Sequence, residues 1–245
     1  MQRYFAKKKK EDSFILYDTD IHHIKNVMRC KVGDTIEVVY DNTVYKCNIS
    51  NLTPLQLIIL EEIDNDSEMN IDLTIAISLV NEQKMDLILQ KLTELGVSKI
   101  IPIKTERSII RLDANKEIKK INRWQLICKE ASEQSKRSII PQVTKIMTLE
   151  ELTKENNKIK LICSLNENSQ LLSNYLHSNI NDILFTIGPE GGFTLQEEKK
   201  LLESGFLPVN FGKRVMRVET AAIYVASVIN YIYEGWYYGF YNRFL

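Results

Sequence analysis

Hydrophobic residues in the first 68 positions fall in short runs that are separated by turn-forming residues. The runs are rich in β-branched and aromatic residues and are bounded by signals such as Val32-Gly33-Asp34. They predict strands over residues 14–17, 35–40, 44–49 and 55–60, with one short helix around residues 20–28. So many short strands favour a small β-barrel, because barrel closure leaves few exposed edges.

The pattern changes after residues 64–68, a polar stretch that is typical of a linker. Residues 71–80 predict a strand, and the next apolar residues recur at helical spacing up to Gly96, a glycine suited to end a helix. Residues 97–103 return as a strand. A strand, a helix and a strand with tight connections form a βαβ unit, which implies a parallel sheet covered by helices.

The rest of the chain continues this alternation. Thr194 and Glu197 have the spacing of a capping box at the start of a helix that Gly205 ends. Further helices are predicted over residues 115–137, 170–177 and 219–234, and strands over residues 159–165, 183–187 and 207–211. The predicted fold class is α/β, with a small β-rich domain over residues 1–68 and an α/β domain over residues 69–245.

Charge is balanced over the whole chain but not along it. The 32 Lys and Arg residues equal the 32 Asp and Glu residues, whereas residues 99–145 hold twelve basic residues against five acidic ones. A basic face from this region could meet phosphates, because neutralising them releases counterions. A solvated helix face explains the same charges equally well.

The four cysteines form no C-x-x-C pair and have no histidine at ligand spacing, so neither a metal site nor a disulfide framework is indicated. The basic start has no apolar segment behind it, and the apolar run at residues 221–233 is too short to span a bilayer. We therefore expect a cytoplasmic protein with no metal and no membrane association.

A glycine-rich turn, Gly188-Pro189-Glu190-Gly191-Gly192-Phe193, follows one predicted strand and precedes a helix. Ligands of open parallel sheets bind beyond the carboxyl ends of the strands, and glycines let the backbone approach them closely. The turn matches neither the dinucleotide fingerprint nor the Walker phosphate loop. By itself, a structural turn is as good an interpretation as a ligand site.

A second irregular segment, residues 211–222, also follows a strand and runs into a helix. Two such turns side by side would form a concave pocket. Arg217 would be a cation at its mouth. Glu219 could cap the N-terminus of the helix or act as a general base, and its position favours the capping role.

Four stretches together resemble the SPOUT methyltransferases, and among them the RsmE family, which methylates N3 of a uridine in 16S ribosomal RNA. They are KMDLILQKLTELGVSKIIPIKTERS at 84–108, EASEQSKRSIIPQV at 130–143, FTIGPEGGFTLQE at 185–197 and FGKRVMRVETAAI at 211–223. RYFA at the start and HHIKNVMRCKVGD at 22–34 resemble the PUA-like RNA-binding barrel of that family.

The resemblance implies a trefoil-knotted domain, S-adenosylmethionine as cofactor, a homodimer with its active site at the subunit interface, and 16S rRNA of the small ribosomal subunit as partner. It implies catalytic roles for Arg217, on charge developing at the uracil oxygens, and for Glu219 or a water, which would accept the N3 proton. The implied cofactor pocket consists of Leu165, Ile187, Gly188, Gly191, Gly192, Phe211, Gly212, Val215, Met216, Arg217 and Ala221. The implied RNA contacts, besides Arg217, are Arg3, Arg29, Arg107, Glu133, Gln134 and Arg137.

Two alternatives stay open. Another SPOUT RNA methyltransferase, acting on transfer RNA or 23S rRNA, would share the second domain, but many of these enzymes lack the N-terminal barrel. A non-catalytic RNA-binding ribosome-assembly factor would keep the fold and tolerate loss of the glycine-rich turn, which is intact in this chain.

Overall fold

The computed structural model describes residues 1–108, 110, 113–164, 166, 169–177 and 180–237 of the 245-residue chain. The chain divides into two compact units. The first combines Met1–Glu68 with Lys129–Ile140, and the second combines Met69–Cys128 with the chain from Pro141 onward. Residues 129–140, which the sequence assigned to the second domain, therefore cluster with the first unit.

The first unit contains a four-stranded sheet and a separate hairpin. Its elements are β1 (Arg3–Phe5), β2 (Lys8–Lys10), β3 (Ser13–Ile15), α1 (Asp18–His22), a π-helical turn (His23–Val27), β4 (Thr35–Tyr40), β5 (Thr43–Leu52) and β6 (Leu55–Ile63). The sheet order is β1-β4-β5-β6, with β1 parallel to β4 and the other neighbours antiparallel. The hairpin joins β2 to β3, and β3 packs against β6. The predicted β-rich unit is confirmed, whereas β1 and β2 are too short to show an alternating pattern.

Alternating residues of the strands fill the core of this unit. Ile36 and Val38 of β4 and Cys47 and Ile49 of β5 are fully buried together with Ile24 of the π-helical turn. Burying one such side chain contributes about 1.5–3 kcal/mol, so the alternation fixes which face of each strand points inward.

Residues 129–140 are bound to the rest of the first unit by buried polar contacts. The Lys129 ammonium lies 2.8 Å from an Asp20 carboxylate oxygen and 2.7 Å from one of Glu133. The Glu133 carboxylate also accepts a hydrogen bond from the backbone N–H of Phe5, at 3.2 Å. Glu68 accepts hydrogen bonds from the Arg137 guanidinium and from the N–H groups that follow it. The polar stretch at residues 64–68 therefore ends in an anchored residue.

The second unit is built on a seven-stranded sheet in which every described pair of neighbours is parallel. Its strands are β7 (Asp72–Ser78), β8 (Lys99–Ile103), β9 (Gln142–Val143), β10 (Ile159–Cys163), β11 (Gln170–Leu171), β12 (Asp182–Ile187) and β13 (Leu207–Asn210). The order is β11-β13-β10-β12-β7-β8-β9. This confirms the predicted parallel sheet, while the knot implied by the family resemblance stays a prediction.

The helices of the second unit begin and end at sequence signals. They are α2 (Glu82–Glu94), α3 (Ala114–Gln134), α4 (Leu149–Leu152), α5 (Leu195–Glu203) and α6 (Val218–Tyr237), and the last six residues of α3 belong to the first unit. Asn81 caps α2 by accepting from the backbone of Lys84 at 3.0 Å, and Gly96 follows it with φ +85°. The capping box predicted for α5, with Gly205 after it, is confirmed. Among the described residues, no helix is long and apolar enough to cross a membrane.

Two local predictions are wrong. Residues 170–177 form no α-helix, because Gln170 and Leu171 pair with β13 as a short strand and Leu172–Tyr175 make one 3₁₀ turn. The long helix ends at Gln134 rather than at residue 137, because Lys136 adopts a left-handed φ of +64°. In both places a long-range or backbone constraint overrides local helical preference.

Candidate active site

A cavity of about 500 Å³ lies in the second unit, beyond the carboxyl ends of β10, β12 and β13. This is the edge of a parallel sheet at which ligands bind. The lining residues come from the strand ends, from the two irregular turns and from the first turns of α2 and α6: Lys84, Cys163, Ser164, Ile187, Gly188, Pro189, Glu190, Gly192, Phe193, Asn210, Phe211, Gly212, Arg214, Val215, Met216, Arg217, Val218 and Ala221.

The turn after β12 depends on its glycines. A Cβ on Gly188 would lie 3.0 Å from the ring of Phe193, so a side chain there would require that ring to shift. Gly192 has φ +67°, a conformation that L residues rarely adopt, and its N–H donates to the Pro189 carbonyl at 2.8 Å. Gly188 and Gly192, which have no side chain, therefore present backbone groups to the cavity.

The turn after β13 supplies an aromatic wall. The Phe211 ring stacks on buried Phe185 of β12 with centroids 5.7 Å apart and contacts the Tyr224 ring of α6 at 5.4 Å. Asn210 fixes the turn, because its amide oxygen accepts from Gly212 N–H at 3.1 Å while its amide nitrogen donates to the Ser169 carbonyl at 2.8 Å. An apolar ring beside a fixed polar turn is a common way to hold a heterocyclic ligand.

Two carboxylates and one ammonium group meet at one side of the cavity. Lys84 of α2 donates to Glu190 in the turn after β12 and lies 3.5 Å from the Glu219 Oε2 of α6. The latter contact is an ion pair without hydrogen-bond geometry, so Glu219 Oε2 is buried with no hydrogen-bond partner among the described residues. The hydrogen bond from Lys84 lowers the pKa of the Glu190 carboxyl, and the same bond raises the pKa of the Lys84 ammonium. Both groups are therefore charged at neutral pH.

Cys163 and Ser164, at the carboxyl end of β10, also line the cavity. Burial raises the pKa of the Cys163 thiol to about 11, so this cysteine is not a thiolate nucleophile. Ser164 donates a hydrogen bond to the Glu198 carboxylate of α5. Within the described part of the chain, no group of three or more His, Cys, Asp or Glu residues is arranged to hold a metal ion.

Known proteins match both units. Residues 67–230 match the model of an RNA methyltransferase domain, and residues 16–62 match that of an RNA methyltransferase PUA domain. The chain is 33% identical to ribosomal RNA small subunit methyltransferase E of Bacillus subtilis, over 94% of this chain and 96% of that protein. The chain therefore belongs to the RNA methyltransferase family that includes ribosomal RNA small subunit methyltransferase E.

Solved structures of the family share the fold. A ribosomal RNA small subunit methyltransferase E from Neisseria gonorrhoeae, bound to S-adenosyl methionine, superposes with a TM-score of 0.87 at 32% identity, covering 95% of this chain and 98% of that one. A Legionella pneumophila methyltransferase in complex with the same cofactor gives 0.88 at 27% identity, covering 95% and 98%. The N-terminal unit is therefore PUA-like, and the chain is an enzyme of the RNA methyltransferase class.

Nine of the eleven residues that the resemblance assigned to the cofactor line the cavity: Ile187, Gly188, Gly192, Phe211, Gly212, Val215, Met216, Arg217 and Ala221. Leu165 lies outside the described residues. Gly191 does not line the cavity, and its carbonyl accepts a hydrogen bond from Arg107 at 2.5 Å. Of the two catalytic candidates, Arg217 lines the cavity and is exposed, whereas Glu219 lies behind it in the first turn of α6.

The residues predicted to contact RNA are distributed over both units. In the first unit, Arg29 and Gln134 are exposed, while three others are buried in polar contacts. Arg3 lies 2.8 Å from the Glu37 carboxylate, Glu133 pairs with Lys129, and Arg137 pairs with Glu68. These contacts give the three buried residues a structural role, and their contact with RNA stays a prediction.

The basic segment at residues 99–145 is largely neutralised. Of its eleven basic residues that the structure describes, nine are ion-paired, for example Lys120 with Glu82 at 3.2 Å and Arg123 with Asp86 at 2.5 Å. This pairing favours a solvated, salt-bridged helix face over a free phosphate-binding face.

Several cavity residues were not predicted from the sequence: Lys84, Cys163, Ser164, Pro189, Glu190, Phe193, Asn210, Arg214 and Val218. Pro189, Glu190 and Phe193 lie inside the motif and could have been included. Lys84 is more than 100 positions away from Glu190 and reaches the cavity only through the packing of α2, which local patterns do not reveal.

Proposed function

We propose that the chain transfers a methyl group from S-adenosylmethionine to N3 of a uridine in 16S rRNA. The observation that carries this proposal is the glycine-lined cavity at the carboxyl ends of β10, β12 and β13, in a chain of the RNA methyltransferase family. The Neisseria relative bound to S-adenosyl methionine supports the choice of cofactor.

The residues of the cavity fit this cofactor. Its volume of about 500 Å³ is in the range of small-molecule sites. Phe211 and Ile187 offer apolar surface for an adenine ring, while the glycine-rich turn offers backbone polar groups to the ribose and the amino-acid part.

The cofactor supplies a methyl group on a sulfonium; the sulfur–methyl bond breaks as the nitrogen–methyl bond forms, and the N3 proton leaves. Arg217 is an exposed cation at the mouth of the cavity and is suited to stabilise negative charge on the uracil oxygens. Glu219 does not line the cavity, although its Oε2 has no hydrogen-bond partner among the described residues, so a water, or Glu219 through a bridging water, would take the proton. The remaining task of the site is to hold the base in line with the methyl group.

The PUA-like unit supports a ribosomal target over other RNAs. Many SPOUT enzymes that act on transfer RNA or 23S rRNA lack such a unit, and the Bacillus relative is named for the small ribosomal subunit. A substrate within that subunit also implies a cytoplasmic protein.

A homodimer is the second part of the proposal. Val215 and Tyr231 are each more than three-quarters exposed, and Tyr224 of the same helix is 40% exposed. Large apolar side chains grouped on one helix and the turn before it are characteristic of an interface. We expect sedimentation equilibrium to give twice the monomer mass and Tyr231→Arg to shift it toward the monomer; a wild-type monomer would exclude the dimer.

The function is tested by incubating the protein with labelled S-adenosylmethionine and either naked 16S rRNA or small subunits that lack the modification. The RNA is then digested and the labelled nucleoside is mapped by mass spectrometry. We expect 3-methyluridine at one position. A ribose methyl or a methylguanosine would assign the chain to a different RNA-modifying activity, and cofactor binding without transfer to either substrate would indicate a non-catalytic factor.

A further inference from the structure

The turn at residues 188–193 has little structure of its own. Three of its six residues are glycines, which lose the most conformational entropy when they are fixed. Within the turn, one backbone hydrogen bond is described, from Gly192 N–H to the Pro189 carbonyl. Contacts from other elements must therefore set its shape.

Lys84 provides one of these contacts. The backbone N–H of Lys84 is held by the Asn81 cap of α2, and its ammonium donates to Glu190 while lying 3.5 Å from Glu219. One side chain thus joins α2, the glycine-rich turn and the first turn of α6, the three elements that surround one side of the cavity.

Arg107 provides a second contact from the segment after β8. Its guanidinium donates to the carbonyl of Gly191 at 2.5 Å and to that of Phe193 at 3.4 Å. The stem of the side chain lies against Gly191, since a Cβ there would be 3.3 Å from Arg107 Cδ. Arg107 is itself well fixed: the adjacent Glu106 N–H donates to Glu197 at 2.8 Å and Ser108 Oγ donates to the Leu79 carbonyl at 3.0 Å.

We propose that Lys84 and Arg107 are positioning residues that clamp the turn at residues 188–193 in the shape that binds the methyl donor. This inference rests on the proposed function and deepens it, because it assigns Arg107 to the cofactor side of the reaction as well as to RNA. Lys84 acts through Glu190, and Arg107 acts through the two carbonyls, so neither needs to touch the substrate.

The test compares the binding of S-adenosylmethionine and of S-adenosylhomocysteine, measured by calorimetry without RNA. A residue that acts by its charge on the sulfonium changes the affinity for the first ligand alone. A residue that positions the turn changes both affinities by the same factor. For Lys84→Met and Arg107→Met, we expect both dissociation constants to rise about two- to fivefold, as for loss of a partly exposed charge contact.

A lysine of α2 and an arginine of α3 provide matched controls. Lys91 of α2 pairs with Glu94 at 2.7 Å and Arg123 of α3 pairs with Asp86, and none of the four lines the cavity. Lys91→Met and Arg123→Met should leave both dissociation constants unchanged, and Lys84→Arg should restore most of the binding. Glu190→Gln, a change at a half-exposed side chain that will not unfold the chain, should reproduce the effect of Lys84→Met.

The outcomes separate the two proposals. A wild-type chain that binds neither ligand would exclude the proposed function. A wild-type chain that binds both, together with Lys84, Arg107 and Glu190 variants that bind them equally well, would exclude the clamp alone. A Lys84→Met variant that binds S-adenosylmethionine more tightly, with the affinity for S-adenosylhomocysteine unchanged, would replace the clamp with an electrostatic role.

Discussion

Arg217 combines a place at the cavity with an exposed side chain. It immediately precedes α6, which begins at Val218, and it lines the cavity while its side chain stays exposed. No ion pair of Arg217 is found among the described residues, in contrast to Lys84, which is held by two carboxylates. An arginine at the mouth of a pocket can direct its guanidinium N–H groups at a planar base and stabilise the negative charge that develops on it.

Replacing Arg217 with Ala should lower the turnover number about 100-fold or more, the usual loss when one charge-stabilising donor is removed. Cofactor affinity should stay measurable, because the glycine turn and the aromatic wall are unchanged. Single-turnover kinetics measures the rate of methyl transfer, and calorimetric titration measures the affinity for the cofactor. Arg123→Ala, at an arginine outside the cavity, serves as the control, and full activity of the Arg217 variant would remove the proposed role.

The residues of the site were predictable only in part. The glycines and Arg217 lie in motifs whose order along the chain indicates a pocket, and the family resemblance supplied the ligand that their chemistry alone did not name. Lys84 and Asn210 were missed because each looks like an ordinary helix or strand-end residue. Their role depends on which parts of the sheet become neighbours, a property of topology rather than of local sequence.

Two capping boxes in the second unit have the same sequence pattern but different surroundings. Thr148 and Glu151 cap α4 at an exposed site. Thr194 and Glu197 cap α5, and buried Glu197 uses its second oxygen to accept from the N–H of Glu106 at 2.8 Å. The second box therefore joins the helix to the segment that carries Arg107.

Glu197→Ala should destabilise the protein by about 1–3 kcal/mol, because it leaves two backbone donors without an acceptor. Glu151→Ala is the matched control and should cost clearly less, since water can replace its exposed carboxylate. The measurement is urea denaturation followed by far-ultraviolet circular dichroism. An equal loss of unfolding free energy in the two variants would mean that the hydrogen bond from Glu106 to Glu197 does not add to the stability of the protein.

Elements with strong boundary signals were predicted well, and elements without them were not. α2 and α5 have a cap at one end and a glycine with φ +85° just beyond the other, and the predicted positions agree with the structure. The helix predicted over residues 170–177 is wrong because the two residues that pair with β13 are too few to show the alternation typical of a strand. The same holds for β9, another two-residue strand.

At the scale of the whole molecule, the first unit is assembled from two distant segments. Residues 1–68 supply the sheet and the hairpin, and residues 129–140 supply Lys129, Glu133, Arg137 and an apolar contact through Ile140. A linear sequence pattern gives no sign of this division, because the second segment reads as the end of a long helix. The division into a domain of residues 1–68 and a domain of residues 69–245 therefore stays a prediction.

An isolated fragment of residues 1–68 should be much less stable than the same unit in the full chain. It leaves the Asp20 and Glu68 carboxylates without their cationic partners and the Phe5 N–H without its acceptor. Joining residues 129–140 to it through a flexible linker should restore a cooperative thermal transition, measured by circular dichroism. A fragment of residues 1–68 that already unfolds cooperatively at the same temperature would show the second segment to be dispensable.

The division of the first unit also sets an order of events during synthesis. The strands β1 to β6 leave the ribosome first, yet Lys129, whose ammonium lies between Asp20 and Glu133, is translated 66 residues after β6 ends. At about 5–20 residues per second, the earliest part of the chain waits several seconds for its missing segment. The N-terminal unit is thus the first to emerge but cannot be completed until just over a third of the second unit has been made, which exposes its incomplete core to chaperones during that interval.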